Sequence, residues 1–270
     1  YAIMKAYLRD FKNYGELKSL LAGPNHLSWS IARDVLENNA RYAAYLHASK
    51  KEYRSALKLL KELSEGKVKE TTTNTDGIEE SIEILCEVND KSLVFEFAEW
   101  VFDRDESSAI SIFTSKLRDK PLPPTEVLSF LEVYPVDLKI VYLEYLINEE
   151  GNSEERYCTL LLTHYLSCIM RLKPQIYLPF GVRVDAGAEN GILGVYRRKL
   201  IHLLEHSNNY DKTAVLNIVQ NTPLYEETLI LYKKLKHHDA ALELLLHKIQ
   251  DFEWAERYCI DSHAQIIEER

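Results

Sequence analysis

The chain has 270 residues, 46% hydrophobic and 28% charged, a balance that excludes both a disordered polar chain and one mostly buried in lipid. Its 33 Lys and Arg stand against 42 Asp and Glu, a formal charge of −9, which argues against nucleic acid as the main partner and leaves room for local basic patches. No apolar run approaches the ~18 residues a membrane-spanning helix needs, and no signal-peptide pattern is read. The opening YAIMKAYL has no initiator Met and already lies inside a helical pattern, so the chain is expected to be a piece of a longer protein.

Helical spacing of apolar residues runs almost throughout. Residues 1–21 read as two short helices, with Tyr7 and Leu8 facing one way and Leu17, Leu20 and Leu21 another. Residues 22–25, AGPN, are a turn, and 29–36 a helix with Ile31 and Val35 inward. Residues 40–66 read as a helix pair that turns near Lys50 and Lys51. Residues 64–77, SEGKVKETTTNTDG, have no apolar period and read as an exposed loop. A helix predicted over 108–117 is ended by Pro121, Pro123 and Pro124, and another starts at Thr125. Pro135 separates its apolar stretch, 127–133, from a helix over 138–147. Asn152 with Glu155 fits a capping box for a helix over 157–172. Residues 174–190 form a second long exposed loop, whose Tyr177, Leu178, Pro179 and Phe180 either dock a partner or fold back onto the helices.

From residue 191 to 259 four short amphipathic segments follow one another. The third, 223–236, has Leu224, Thr228, Leu231 and Leu235 on one stripe, Pro223 suited to the first helical position, Glu226 and Glu227 at its start and Lys233, Lys234 and Lys236 at its end. The next starts near Asp239, with Ala241, Leu242, Leu245 and Ile249 inward. Asp251 then caps a helix carrying Trp254, Ala255 and Tyr258 on one side. One unit recurs: an aromatic, a polar turn, then Ala followed by aliphatics. Its copies are Tyr45 with Ala56, Trp100 with Ala109, and Tyr232 with Ala241. No alternation of the strand kind persists. The expected fold is all-α, an α-solenoid of antiparallel helix pairs over residues 1–270.

The search for chemistry is brief. The glycines form neither GxGxxG nor a phosphate-binding loop, and there is no GxSxG. Cys86, Cys158, Cys168 and Cys259 make no CxxC pair and read as reduced, buried thiols. His202, Glu205 and His206 form HxxEH, which puts two imidazoles and a carboxylate on one helical face, the inverted zinc-peptidase pattern; no third ligand or substrate-binding sheet edge accompanies it. His237 and His238 are adjacent, too far apart in direction to chelate one ion, and mark a turn. The carboxylate pairs Glu79-Glu80 and Glu149-Glu150 lie at helix ends, where a solvated or dipole role suffices. Arg197-Arg198-Lys199 and Lys233-Lys234-Lys236 read either as contacts for an acidic partner or anionic lipid, or as solvated and helix-terminal charges. The expectation is a protein that is not an enzyme, with no metal and no cofactor.

The residues carry a resemblance beyond their periodicity. Leu193-Gly194-Val195-Tyr196-Arg197-Arg198-Lys199-Leu200, preceded by a glycine- and acid-containing loop and followed by Tyr210-Asp211, resembles the vacuolar protein sorting protein 39 (Vam-six-like) family. Glu226-Glu227, His238, Ala241-Leu242 and Ala255-Glu256-Arg257-Tyr258-Cys259 continue the match, and residues 141–146, VYLEYL, look like an upstream family segment. Residues 95–101, FEFAEWV, and Gln250-Asp251-Phe252 look at least as much like a relative, the transforming growth factor-β receptor-associated protein of the CORVET complex. The resemblance implies a clathrin-heavy-chain-repeat solenoid from a HOPS-type tethering subunit, without the N-terminal β-propeller of the full-length proteins. It implies binding to the class C core subunits, Rab GTPase contact made indirectly or through other parts of the protein, and a cytoplasmic place on late endosome, lysosome or vacuole membranes.

Overall fold

The computed structural model describes residues 18–21, 23, 32, 36, 39–68, 77–172 and 185–268, with side chains as far as Ser262 in the last helix. The expected helices over 1–21 and 29–36, the turn at 22–25 and the expected loops over 64–77 and 174–190 fall mostly outside these residues, and the Tyr177–Phe180 group falls wholly outside them. Among the described residues every regular element is helical. No helix among them is long and apolar enough to cross a membrane. The chain divides into two compact units, residues 1–138 and 139–270.

The first unit opens on a helix pair, α1 (Ala40–Ser49) and α2 (Tyr53–Ser64), which pack on each other. Ala43 and Ala44 on α1 and Ala56 on α2 are buried, and such small side chains let helix backbones approach closely. Leu21, Ala32, Leu36, Tyr42 and Leu46 form one apolar cluster with Tyr45. The turn falls where the sequence places it. Lys51 takes the left-handed conformation at φ 63°, and the Glu52 N–H reaches the His47 carbonyl at 2.9 Å, which closes the helix end.

Next come α3 (Ile78–Glu87), α4 (Lys91–Phe102), α5 (Glu106–Ala109), α6 (Ser111–Thr114) and α7 (Pro124–Phe130), the last continued by a 3-10 turn over Leu131–Val133. Asp90 and Asp105 cap α4 and α5, accepting from the Ser92 and Ser108 N–H groups at 3.0 and 3.1 Å. Phe102, Phe113, Phe130 and Tyr134 pack ring against ring, at centroid separations of 4.9–5.4 Å. The single helix expected over 108–117 is instead two short pieces, α5 and α6, and the chain is irregular from Ser115. The cause is Arg118. Its buried guanidinium donates to the Val88 carbonyl at 2.9 Å and to the carbonyls of Ile112 and Leu85, tying the ends of α3 and α6 together. A continuing helix would carry Arg118 away from all three.

The second unit begins within α8 (Val136–Asn148) and continues with α9 (Glu155–Arg171), α10 (Ile192–His206), α11 (Lys212–Val219), α12 (Tyr225–Lys234), α13 (His238–Glu243), a π-helical stretch over Leu244–Ile249, and α14 (Phe252–Glu268). The capping box at Asn152 does not form. The helix starts at Glu155, and Asn152 instead accepts from the Glu154 N–H at 3.2 Å, ordering the approach to the helix. Pro223 precedes rather than begins α12; the Thr222 hydroxyl accepts from the Leu224 N–H at 3.3 Å. Lys236 lies past the helix end in the left-handed region at φ 60°, and the His237 N–H bonds the Tyr232 carbonyl at 2.9 Å, the same closure seen at Lys51. Asp251 caps the last helix as expected, accepting from the Trp254 N–H at 2.9 Å, and Ala255 and Tyr258 are buried. Cys86, Cys158 and Cys168 are buried, but Cys259 is exposed, because Ala255, Tyr258 and Ser262 take the inward face of α14 and leave it outside.

The recurring aromatic–turn–alanine unit maps onto consecutive helices each time: α1 into α2, α4 into α5, and α12 into α13. Ala56, Ala109 and Ala241 are all at 0% exposure.

Candidate functional site: an ion-paired junction in the second unit

The residues that carry the family pattern gather at one place, where the segment 185–191 crosses α10 and the start of α12. Leu193, Tyr196 and Leu200 are spaced to bury one face of α10, and the same turn of helix points Arg197 inward with them. Arg197 is 5% exposed and Glu227, at the start of α12, 0%. The Arg197 Nε and Nη2 donate to the two oxygens of Glu227, each at 2.8 Å, a bidentate pair. Its Nη1 donates to Glu189, which arrives from the crossing segment. Burial works against the guanidinium charge, but the Glu227 and Glu189 carboxylates outweigh it and hold the arginine pKa above its usual value.

Further bonds strap the segment down. The Ala186 N–H donates to Glu226 at 2.6 Å, the Gly187 N–H to Glu189 at 2.7 Å, and Arg198 donates to the Gly187 carbonyl. Two glycines make the crossing close. A Cβ on Gly194 would collide with the Glu189 carbonyl oxygen, and one on Gly187, where φ is +90°, would lie 2.6 Å from the Arg198 Cγ. On the other side of α10, Lys199 donates to both oxygens of Glu144 on α8, at 2.7 and 2.9 Å, and the Tyr165 hydroxyl on α9 joins the same carboxylate at 2.7 Å. Desolvation, then the hydrogen bond to Glu144, drives the Tyr165 hydroxyl pKa well above its usual value, so it stays a donor.

Of the Arg197-Arg198-Lys199 group, Arg198 and Lys199 are exposed and Arg197 is not. Each of the three cations is bonded to an acceptor inside the unit, and Arg197 is buried. Lys234 of the second basic group is also committed. Its ammonium reaches the Glu205 and Ser207 carbonyls at 2.9 and 2.6 Å and Asn208 at 3.2 Å, closing the end of α10, and lies over the Tyr210 ring. Burial, and then repulsion from Lys212, lowers the Lys234 pKa. Tyr210 is buried beneath it, its hydroxyl bonded to the Leu204 carbonyl at 3.0 Å and its pKa pushed up to about 12 by desolvation. Asp211 caps α11 through the Ala214 N–H at 2.9 Å.

His202, Glu205 and His206 are exposed on α10. The two imidazoles stack with centroids 4.4 Å apart, and the His206 Nδ1 lies 2.9 Å from the His202 carbonyl oxygen. Among the described residues no three His, Cys, Asp or Glu side chains are grouped to hold a metal. His237 and His238 sit at the α12–α13 turn, and His238 shares a 3.0 Å hydrogen bond with the Tyr258 hydroxyl. Glu79 and Glu80 lie in the first turn of α3, where Glu80 pairs with Arg41 at 3.1 Å; Glu149 and Glu150 lie just past α8. The partners Glu189, Glu227 and Glu144 were not singled out for Arg197 and Lys199, because pairing across 8, 30 and 55 residues leaves no periodic trace.

Residues 1–102 match the family model described as vacuolar sorting protein 39 domain 1. The chain is similar to proteins of the vacuolar sorting protein 39 family. It is 29% identical to transforming growth factor-beta receptor-associated protein 1 of Mus musculus over 265 residues, which is 96% of this chain and 29% of that protein. It is 29% identical to the Vam6/Vps39-like protein of Homo sapiens over 243 residues, 87% of this chain and 27% of that protein. It is 31% identical to the vacuolar protein sorting-associated protein 39 homolog of Drosophila melanogaster over 238 residues, 86% of this chain and 26% of that protein. The chain therefore spans under a third of the length of these relatives. No solved structure matches it. The family pattern at residues 193–200, 210–211 and 226–227 consists largely of groups that hold the fold: a glycine at a close crossing, a buried ion pair, a buried tyrosine and a helix cap.

Proposed function

We propose that the chain is a non-catalytic scaffold segment of a HOPS-type tethering-complex subunit, acting in membrane tethering and fusion at endosomes and at the lysosome or vacuole. The observation that carries this reading is similarity to vacuolar sorting relatives along 86–96% of the chain. The helices would stack as an α-solenoid of antiparallel pairs, and the recurring helix–turn–helix unit with its buried alanine supports that arrangement. Such a segment binds other subunits, the class C core first among them, through its helical surface. Rab contact would be indirect or lie elsewhere in the longer protein, and the protein would work from the cytoplasm as a peripheral component of those membranes.

A second reading is the equivalent CORVET subunit at early endosomes. Coverage of 96% of the chain by the match to transforming growth factor-beta receptor-associated protein 1, against 87% for the Vam6/Vps39-like protein, favours it. The test is to delete this segment from the full-length protein in cells and isolate the complex. Loss of the class C core subunits from the isolate, with the propeller-bearing part still expressed, is the expected result. An intact complex would refute the scaffold reading. The subunits particular to HOPS or to CORVET, identified by mass spectrometry of the undeleted protein, decide between the two readings.

A further inference from the structure

We infer that the crossing segment 185–191 is a releasable strap, a latch that opens and closes as a unit while α10 and α12 remain folded. Four observations lead there. The strap reads Asp-Ala-Gly-Ala-Glu-Asn-Gly and buries no apolar side chain larger than alanine, so it is fixed by polar contacts alone. Segments held without apolar burial come from the low end of a protein's local stability. Second, the clamp is built to survive release. Arg197 has two carboxylate partners, and when Glu189 leaves for water the bidentate pair with Glu227 remains, so opening strands no buried charge. Third, the first turn of α10 carries a glycine at the position where the strap's Glu189 carbonyl lands, and any side chain there would exclude the closed strap.

The fourth observation is what the closed strap builds. Its Asp185 forms one side of a cavity of about 580 Å³ whose other walls are Glu226, Asp251, Trp254, Arg257 and Asp261. The strap also holds Glu226 in place through the Ala186 N–H. Release of the strap removes one wall and the Ala186 N–H bond to Glu226, so closure sets the shape of this cleft beside α14. The strap thus couples the α10–α12 junction to the surface that α14 presents.

Amide hydrogen exchange on the intact chain tests the latch. Residues 186–190 should exchange at least tenfold faster than the cores of α10 and α12. Gly194→Ala favours the helix but puts a methyl where the Glu189 carbonyl sits, so it should raise strap exchange a further tenfold or more and leave α10 and α12 unchanged. Glu189→Gln, which removes the charge without adding bulk, should raise strap exchange to a smaller extent and serves if Gly194→Ala disturbs folding. Strap amides that exchange in step with α10 and α12 in the wild type, or that keep their protection in both variants, would overturn the inference.

Discussion

The bidentate pair between Arg197 and Glu227 is the interaction whose removal the second unit should feel most. Both side chains are nearly out of contact with water, at 6% and 0% exposure. Arg197→Met keeps most of the aliphatic volume and deletes the cation, leaving Glu227 as an uncompensated buried carboxylate. Breaking such a pair from one side costs about 3–5 kcal/mol. For a unit of this size that corresponds to a drop in Tm of roughly 10–20 °C. The double variant Arg197→Met/Glu227→Leu removes both charges. It should recover to within about 1 kcal/mol of the wild type, because a buried pair and a well-packed apolar replacement are close in free energy. The two outcomes separate the worth of the pair from the penalty of stranding one partner. Urea unfolding followed by circular dichroism supplies the measurement. A single variant that loses less than about 1 kcal/mol, or a double variant no more stable than the single, would refute the reasoning.

Three further expectations concern stability elsewhere. Arg118→Ala leaves the carbonyls of Leu85, Val88 and Ile112 without their shared donor and should cost the first unit about 3 kcal/mol or more, read from its urea midpoint; a loss below about 1 kcal/mol would remove Arg118 as the reason the helix stops at Thr114. Lys236→Gly relieves a left-handed lysine at φ 60° and should stabilise the second unit by about 0.5–1 kcal/mol, with Lys236→Ala giving no such gain; equal effects of the two would show that backbone strain is not the cause. Burial raises the Glu80 pKa above the ordinary 4.5, with the Arg41 charge opposing it. Its protonated form is therefore favoured by folding, so its contribution is full below pH 4.5 and is lost as the pH rises through the higher folded pKa. Glu80→Gln should flatten that part of the stability–pH curve of the first unit, and an unchanged slope would contradict it.

Local rules were enough for much of this fold. Asp251 as a cap, the turn at Lys50 and Lys51, and the inward stripe of Leu224, Thr228 and Leu231 all follow from spacing and side-chain chemistry within one or two helical turns. What escaped the sequence depends on groups distant along the chain. The break after Thr114 is made by an arginine bonding to carbonyls as far as 33 residues away. The three consecutive cations at 197–199 read either as a contact patch or as solvated charges, because nothing nearby announces Glu227, Gly187 and Glu144 as their partners. The π-helical stretch over Leu244–Ile249 is invisible for a related reason. Ala241 and Leu245 both reach the core, which an ordinary helix would also allow, and the wider turn shows only in how the backbone leaves at Gln250, with φ 60°. Cys259 illustrates the remaining kind of error. It sits among residues of a helical stripe, yet it lies one position beyond the buried Tyr258, and one position on a helix is about 100° of rotation.

The family resemblance gains a physical content from the same geometry. Gly194, Arg197, Tyr210, Asp211 and Glu227 are needed to bring the strap, α10, α11 and α12 together, so a chain can keep them without any catalytic demand.

As a scaffold segment, the role proposed for it, this chain would bind the core of a tethering complex. The most direct measurement is a pull-down of the purified chain against the class C core subunits, with early and late endosomal Rab GTPases in parallel. The account predicts that the core subunits are retained and the Rab proteins are not. Retention of neither, or of a Rab protein alone, would contradict it.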